Sequence, residues 1–297
     1  MALRLTHVVL ALALLSGCAG VPKPTVQPAL DNPSAATSAN APANDNLNAV
    51  AWSQTAVEHD LIYLQTYRDA EARLLTALHD AGWDALSKTD RVGAFTQLQP
   101  AVILDIDETV LDNSPYQARM IRNGGAFNPA NWAAWCREAK ARALPGAVAF
   151  TRFAASHGIA VIYISNRAKD LDEVTLRNLR QAGFPVSGPD AFLGLGTVVD
   201  GCAQAGSEKG CRRQLVGRHY RVLMQFGDQL GDFLDVATNT VAGRRQTVAP
   251  YLPWIGTRWF VLPNPTYGAW ESALFDNDSA ASPQQQHRQK RDALRYQ

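Results

Sequence analysis

Hydrophobic positions along the chain fall into four short runs rich in β-branched residues, set between stretches of helical periodicity. The runs are AVILD (101–105), IAVIYIS (159–165), RVLMQFGD (221–228) and RWFVLPN (258–264). Unbroken apolar runs of this length suit strands buried on both faces, as in a parallel sheet covered by helices. PGAVAFTRFAASHG (145–158) and LDEVTLRNLRQAG (171–183) read as the intervening helices. Upstream, Val57, Leu61, Leu64, Leu74, Leu75 and Leu78 recur at helical spacing, which predicts one long amphipathic helix within 48–82, stopped at Gly82. Tyr63 and Tyr67 on that helix are expected to pack. The alternation predicts an α/β fold, a Rossmann-like parallel sheet with helices on both faces. Residues 110–144 are too long for a bare loop and are expected to form a small helical cap or insertion over the site.

The N-terminus carries a different pattern. Arg4 precedes an apolar run from Val8 to Leu15, shorter than a bilayer span, so residues 1–17 read as a signal peptide. Leu15-Ser16-Gly17-Cys18 resembles the bacterial lipobox, which implies lipidation of Cys18. Ala19 in place of Asp implies, by resemblance to lipoprotein sorting in Gram-negative bacteria, delivery to the outer membrane. Residues 18–47, rich in Pro, Ala, Ser and Asn, are expected to be a flexible tether. The folded domain is expected over 48–275, with 276–297 a polar C-terminal tail. No later apolar stretch is long enough to predict a transmembrane helix, so membrane attachment would run through the N-terminal lipid only.

Composition then narrows the partners. Among 297 residues, 28 Lys and Arg face 27 Asp and Glu, and 46% are hydrophobic. This excludes a wholly disordered chain and argues against a nucleic-acid polymer held by bulk charge. Removing Arg4 with the signal balances the charges, so an anionic ligand must be held by local groups such as Lys209, Arg167 and a bound metal. Once Cys18 is lipidated, Cys136, Cys202 and Cys211 remain. In an oxidising compartment a Cys202–Cys211 disulfide and two reduced cysteines flanking a loop both stay open.

The candidate chemistry sits where the runs end. Asp105 and Asp107 follow the first run, and two carboxylates there can divide the roles of nucleophile and proton exchanger. Ser165-Asn166-Arg167 closes the second run and suits a phosphoryl oxygen. Lys209, on a loop or helix start, can neutralise charge shared by phosphate and nucleophile. Asp228 and Asp232 in GDQLGDF suit a hard divalent cation. His59, His79, His157, His219 and His287 are scattered, without the motifs of histidine-dependent phosphatases, and no P-loop is present.

Together DIDETVLDNSPY (105–116), ISNR (164–167), KGCRRQ (209–214), GDQLGDF (227–233) and LPNPTYGAWE (262–271) resemble the lipoprotein e group of the haloacid dehalogenase (HAD) superfamily. These are the class C bacterial acid phosphatases, also known as 5′-nucleotidases. AVAWSQTAVEHD (49–60) is similar to that group's helical lead-in. One departure is Gln229-Leu230-Gly231, where members often read Asn-Leu-Asp or Asn-Leu-Gly; another is Cys211 beside Lys209.

The resemblance implies Asp105 as a nucleophile forming an aspartyl-phosphate, and Asp107 as the group that protonates the leaving alkoxide and then deprotonates water. It implies Ser165 and Lys209 as phosphoryl ligands. Mg²⁺ would be held by Asp105, the Asp107 carbonyl and Asp228, with Asp232 supporting through water. The implied substrate is a small phosphate monoester, a nucleoside monophosphate first, with Trp135 and Tyr267 as stacking candidates ahead of Tyr116 and Phe127. Asn166 and Arg167 would complete the substrate contacts. The alternatives are a broad sugar or aryl phosphatase and a non-catalytic surface lipoprotein for a phosphorylated ligand or haem. Oligomeric state is open.

Overall fold

A computed structural model describes residues 45–297. The expected signal peptide, Cys18 and the expected tether as far as residue 44 lie outside the described residues. In chain order the elements are α1 (Leu47–Thr55), α2 (Val57–His79), β1 (Gln99–Leu104), β2 (Leu111–Asp112), α3 (Ser114–Arg122), α4 (Pro129–Glu138), β3 (Arg142–Ala143), α5 (Ala147–Ser156), β4 (Ala160–Ala168), α6 (Asp172–Ala182) and β5 (Phe192–Leu195). There follow α7 (Gly210–His219), β6 (Tyr220–Gly227), α8 (Val241–Val248), β7 (Trp259–Val261), α9 (Ala269–Ser272) and α10 (Pro283–Asp292).

The main sheet is parallel throughout, ordered β5-β4-β1-β6-β7. The chain runs outward from β1 through β4 to β5, then crosses back to start the other half at β6. The order therefore reverses between β1 and β6, the place where open α/β sheets bind ligands. Alternation along the strands divides the core in two. Val102, Leu104, Val161, Tyr163 and Phe226 face Tyr67 and Leu74 of α2 and Phe150 of α5. Ala101, Ile103, Ile162, Ile164 and Trp259 pack with Val216 of α7 and with Phe233 and Leu234. Both faces are covered, as the unbroken apolar runs require.

Three expectations are corrected. The lead-in is two helices, because Ala56 takes an extended ψ of 123° between α1 and α2. The buried stripe of α2 is His59, Tyr63, Tyr67, Ala70, Leu74 and Ala77, while Val57 and Leu61 are 62% and 55% exposed. Of the expected positions Leu74 is buried and Leu64, Leu75 and Leu78 are half-buried, so the spacing failed at the N-terminal end, where the aromatics face the core. α1 already begins at Leu47, and the segment 276–297, expected as a polar tail, is polar but carries α10. A reciprocal cap between Ser282 and Gln285 starts α10, and Lys290 reaches Glu271 at 2.6 Å and Asp45 at 3.6 Å.

The segment 110–144 holds α3 and α4 between β2 and β3, which pair antiparallel. Asn128 caps α4 by accepting from the amides of Ala130 and Asn131, and Pro129 supplies a preset first position.

Cys202 and Cys211 are joined, so the loop before α7 is tied to that helix's first turn. A loop of about ten residues closed this way stabilises a domain by about 2–3 kcal/mol. Urea unfolding with and without reductant is expected to show a lower midpoint for the reduced protein, corresponding to an unfolding free energy smaller by that amount. An unchanged midpoint would contradict it. Cys136 is free and buried, and burial pushes its thiol up to about 12, which leaves it unreactive.

Candidate active site

Loops converge beyond the carboxyl ends of β1, β4 and β6. The Asp105 amide still belongs to the sheet and donates to the Phe226 carbonyl at 3.0 Å. The chain then turns sharply: Ile106 O accepts from Val110 and Leu111 at 2.9 and 2.8 Å, and Glu108 takes a φ of 55°. A non-glycine residue in this left-handed region is strained and persists only where its surroundings fix it. Tyr63 donates to the Glu108 carbonyl, and Tyr67 to the Thr109 carbonyl at 2.8 Å. The Glu108 carboxylate accepts from the Asn113 amide at 2.8 Å and from the Tyr267 hydroxyl. Held this way, the turn delivers Asp105 and Asp107 to two different environments.

Asp105 faces Lys209. The buried lysine, at the N-cap of α7, donates to Asp105 Oδ1, to Asp232 Oδ1 at 2.7 Å and to the Ile164 carbonyl at 2.9 Å. Thr109 Oγ1 lies 3.3 Å from Asp105 Oδ2 and 3.4 Å from Asp228 Oδ1. Burial alone would lower the lysine's pKa, but Asp105 and Asp232 outweigh it and keep the ammonium charged. Burial pushes the Asp105 carboxyl well above the usual range; Lys209 opposes this, while Asp232, Asp228 and Asp107 add to it. Asp228 rises to about 7, from burial first and then from the charge of Asp232. One lysine does not balance three clustered carboxylates.

Oxygens of Asp105, Asp228 and Asp232 lie within 4.8 Å of one another. An all-oxygen, excessively negative donor set fits a hard divalent cation. Its outer supports are in place. Asp228 Oδ2 accepts from Gln229 Nε2 at 2.7 Å and Asn264 Nδ2 at 2.8 Å, and Asp232 Oδ2 accepts from the Gln229 amide at 2.8 Å. Gln229 also reaches the Tyr267 carbonyl at 3.1 Å. Gly227 makes the turn possible, since a Cβ there would lie 2.3 Å from the Cβ of Asp232.

Asp107 has different partners. Its Oδ1 accepts from Arg167 Nε at 2.9 Å and Asn113 Nδ2 at 2.9 Å, with Arg167 Nη2 2.8 Å away. Among the described residues its Oδ2 accepts only from Ser165 Oγ, at 3.0 Å. One oxygen is therefore locked and the other is left with a single, replaceable donor.

The structure brings Asp105, Asp107, Ser165, Lys209, Asp228 and Asp232 together. Asn166 is exposed at the rim. Arg167 differs from the expected substrate contact: it is 1% exposed, turned onto Asp107, with the Trp132 ring 5.6 Å from its guanidinium. Trp135 differs from the expected stacking surface. It is buried, donates its indole N–H to Asn113 Oδ1 at 2.8 Å, and carries the Arg119 guanidinium 4.8 Å from its ring. Tyr116 is likewise buried; Tyr267 is half-buried with its hydroxyl on Glu108; Phe127 is 63% exposed. Thr109, Asn113 and Asn264 were not singled out in the sequence, although they lie within the quoted motifs. Their polarity beside a carboxylate pair was the available signal.

A parallel sheet with this strand order, an acidic turn after β1, a serine in the C-terminal part of β4, a helix-capping lysine and a second acidic turn after β6 defines a HAD-type phosphotransfer fold. The family model for HAD superfamily subfamily IIIB (acid phosphatase) matches residues 26–270, and the chain belongs to that family. The class C acid phosphatase of Bacillus anthracis is similar over 85% of this chain and 97% of its own, at 33% identity and a TM-score of 0.73. Its tungstate-bound structure matches with the same figures. Among curated proteins, the Stem 28 kDa glycoprotein of Glycine max is 28% identical over 166 residues, covering 56% of this chain and 58% of its own. A Stem 31 kDa glycoprotein of the same plant is 28% identical over 164 residues, 55% of this chain and 50% of its own. The chain thus spans half or somewhat more of the length of these curated relatives.

Proposed function

We propose that this chain is a Mg²⁺-dependent acid phosphatase that hydrolyses small phosphate monoesters, nucleoside monophosphates foremost, through an aspartyl-phosphate on Asp105. The observation that carries it is the opposed setting of two neighbouring carboxylates. Asp105 lies against an ammonium and a hydroxyl, and Asp107 against a guanidinium and a serine. Phosphoryl transfer depends on positioning and charge neutralisation, and this arrangement supplies both.

In the first step an Asp105 carboxylate oxygen bonds to phosphorus while the ester oxygen leaves. Asp107 Oδ2 supplies the proton to that oxygen, and Arg167 and Asn113 hold the other oxygen fixed. In the second step Asp107 takes a proton from water, whose oxygen attacks phosphorus and releases Asp105. Lys209 and Ser165 orient the phosphoryl oxygens throughout. Asp105, Asp228 and Asp232 would hold the cation, which supplies charge neutralisation for the nucleophile and the phosphoryl group.

The nucleotide preference is supported by aromatics of the insertion, with Phe127 exposed and Trp132 half-buried above Arg167. Export and lipidation at Cys18, with the domain held at the outer membrane by its tether, follow from the N-terminal motif. Such an enzyme would release nucleosides from nucleotides outside the inner membrane.

The test is a panel of nucleoside monophosphates, sugar phosphates and aryl phosphates assayed with Mg²⁺ and with EDTA. Turnover is expected with Mg²⁺, highest for the nucleotides, abolished by EDTA and inhibited by tungstate, an oxyanion bound by the Bacillus anthracis relative. Phosphate release undiminished by EDTA would refute the metal assignment. Equal turnover of all three classes would refute the nucleotide preference. Binding without any release would point to a ligand-binding protein.

A further inference from the structure

Two adjacent arginines in the first turn of α7 are fully buried, and their surroundings differ in kind. Arg213 is matched by carboxylates: Asp90 at 2.6 Å and Asp235 at 2.7 Å, with the Gly231 carbonyl at 2.8 Å. Arg212 has none within ion-pair distance among the described residues. Its Nη1 donates to the Ser165 carbonyl at 2.6 Å, and its Nη2 to Asn166 Oδ1 at 2.7 Å and the Glu208 carbonyl at 3.0 Å. Its Nε is buried with no partner. Burial first, and then the charge of Arg213, lower its pKa to about 10, which still leaves it charged at neutral pH.

A buried guanidinium without a counter-ion is costly, and apolar packing of similar volume would serve a purely structural purpose better. What Arg212 does hold is specific. Its two shortest bonds reach the C-terminal part of β4, one to the backbone of Ser165 and one to the side chain of Asn166, while the carbonyls of Glu208, Ser207 and Leu193 accept at 3.0, 3.4 and 3.5 Å. Because Asn166 Oδ1 is taken by the fork, the amide's NH₂ group is left for an outside acceptor.

We propose that Arg212 is a positioning residue for the phosphoryl site, fixing the Ser165–Asn166 segment of β4 so that the Asn166 NH₂ faces an incoming phosphoryl oxygen. The proposal deepens the phosphatase reading and rests on it for its substrate. Cys211 next door is tied by its disulfide, so the turn that carries Lys209, Arg212 and Arg213 is fastened as one piece. From it Lys209 holds Asp105, Arg213 the second acidic turn, and Arg212 the serine segment of β4.

The test is orthophosphate affinity by calorimetry together with steady-state kinetics, for Arg212→Met, Arg212→Lys, Asn166→Ala and the Arg212→Met/Asn166→Ala pair. Arg212→Met is expected to weaken phosphate binding and raise KM by about tenfold to a hundredfold, as for loss of a charge-assisted bond, while kcat changes much less. Arg212→Lys keeps the charge but not the fork, and is expected to lie between Arg212→Met and the unmodified protein. The double variant is expected to bind more tightly than the product of the single losses predicts, because one substitution acts through the other. A purely structural arginine would instead lower kcat and thermal stability without moving phosphate affinity.

Unchanged phosphate affinity in a folded Arg212→Met overturns the proposal. If that variant does not fold, unchanged affinity in Arg212→Lys overturns it. Affinity is read without turnover, so an inactive unmodified protein would overturn the phosphatase reading while this measurement still decides the role of Arg212.

Discussion

Asp105→Asn is expected to abolish turnover, by about 10⁴-fold or more in kcat, the scale on which removing a nucleophile acts. The amide is nearly isosteric and cannot form the acyl phosphate, so the loss should fall on kcat. Phosphate binding should be retained or improved. Lys209 keeps its bonds to Asp232 and to the Ile164 carbonyl, and one negative charge leaves a cluster in which Asp105, Asp228 and Asp232 already crowd one another. Hydrolysis of an aryl phosphate, with orthophosphate binding as the companion measurement, checks both. Near-normal turnover would remove Asp105 from the nucleophile's role.

Lys209→Met is expected to damage stability as well as activity. The ammonium is buried and joins Asp105, Asp232 and the end of β4. Removing one partner of a buried ionic group destabilises by about 3–5 kcal/mol, because the remaining charges stay uncompensated. Thermal unfolding should show this loss in full with EDTA and a smaller loss with saturating Mg²⁺, since a bound cation replaces part of the missing charge. Turnover should fall in both conditions. Equal stability of the variant and unmodified protein in EDTA would contradict the assigned charge balance.

Much of this arrangement was legible because strand ends and chemistry coincide in the sequence. A run such as AVILD is apolar until Asp105, and the reversal of polarity marks both the strand's end and the site. The same holds at Asp228, whereas at Ser165 the polarity changes but β4 continues to Ala168. β5 (Phe192–Leu195) escaped because four residues interrupted by Gly194 give no clear run. The first turns of α2 were misjudged at Val57 and Leu61, because counting apolar residues weighs hydrophobicity and not shape. Tyr63 and Tyr67 were expected only to pack; their hydroxyls also bond to carbonyls more than 40 positions away. Such pairings depend on tertiary approach, which spacing within a helix does not encode. Arg167 and Trp135 show the same limit from the other side. Residue type suggested anion and base contacts, yet packing turned one onto Asp107 and the other onto Asn113.

Helix α2 touches neither carboxylate of the acidic pair, yet Tyr63 bridges the carbonyls of Glu108 and Pro263 and so pins the nucleophile turn to the segment that carries Asn264. This gives the helix two unequal sides for protein engineering. Its outer side, with Val57 and Leu61, is open to tags, labels or charge changes. Its inner tyrosines set the alignment of groups they never meet. A fragment begun after α2 would keep every residue of the proposed chemistry and lose the brace that registers one catalytic loop against another.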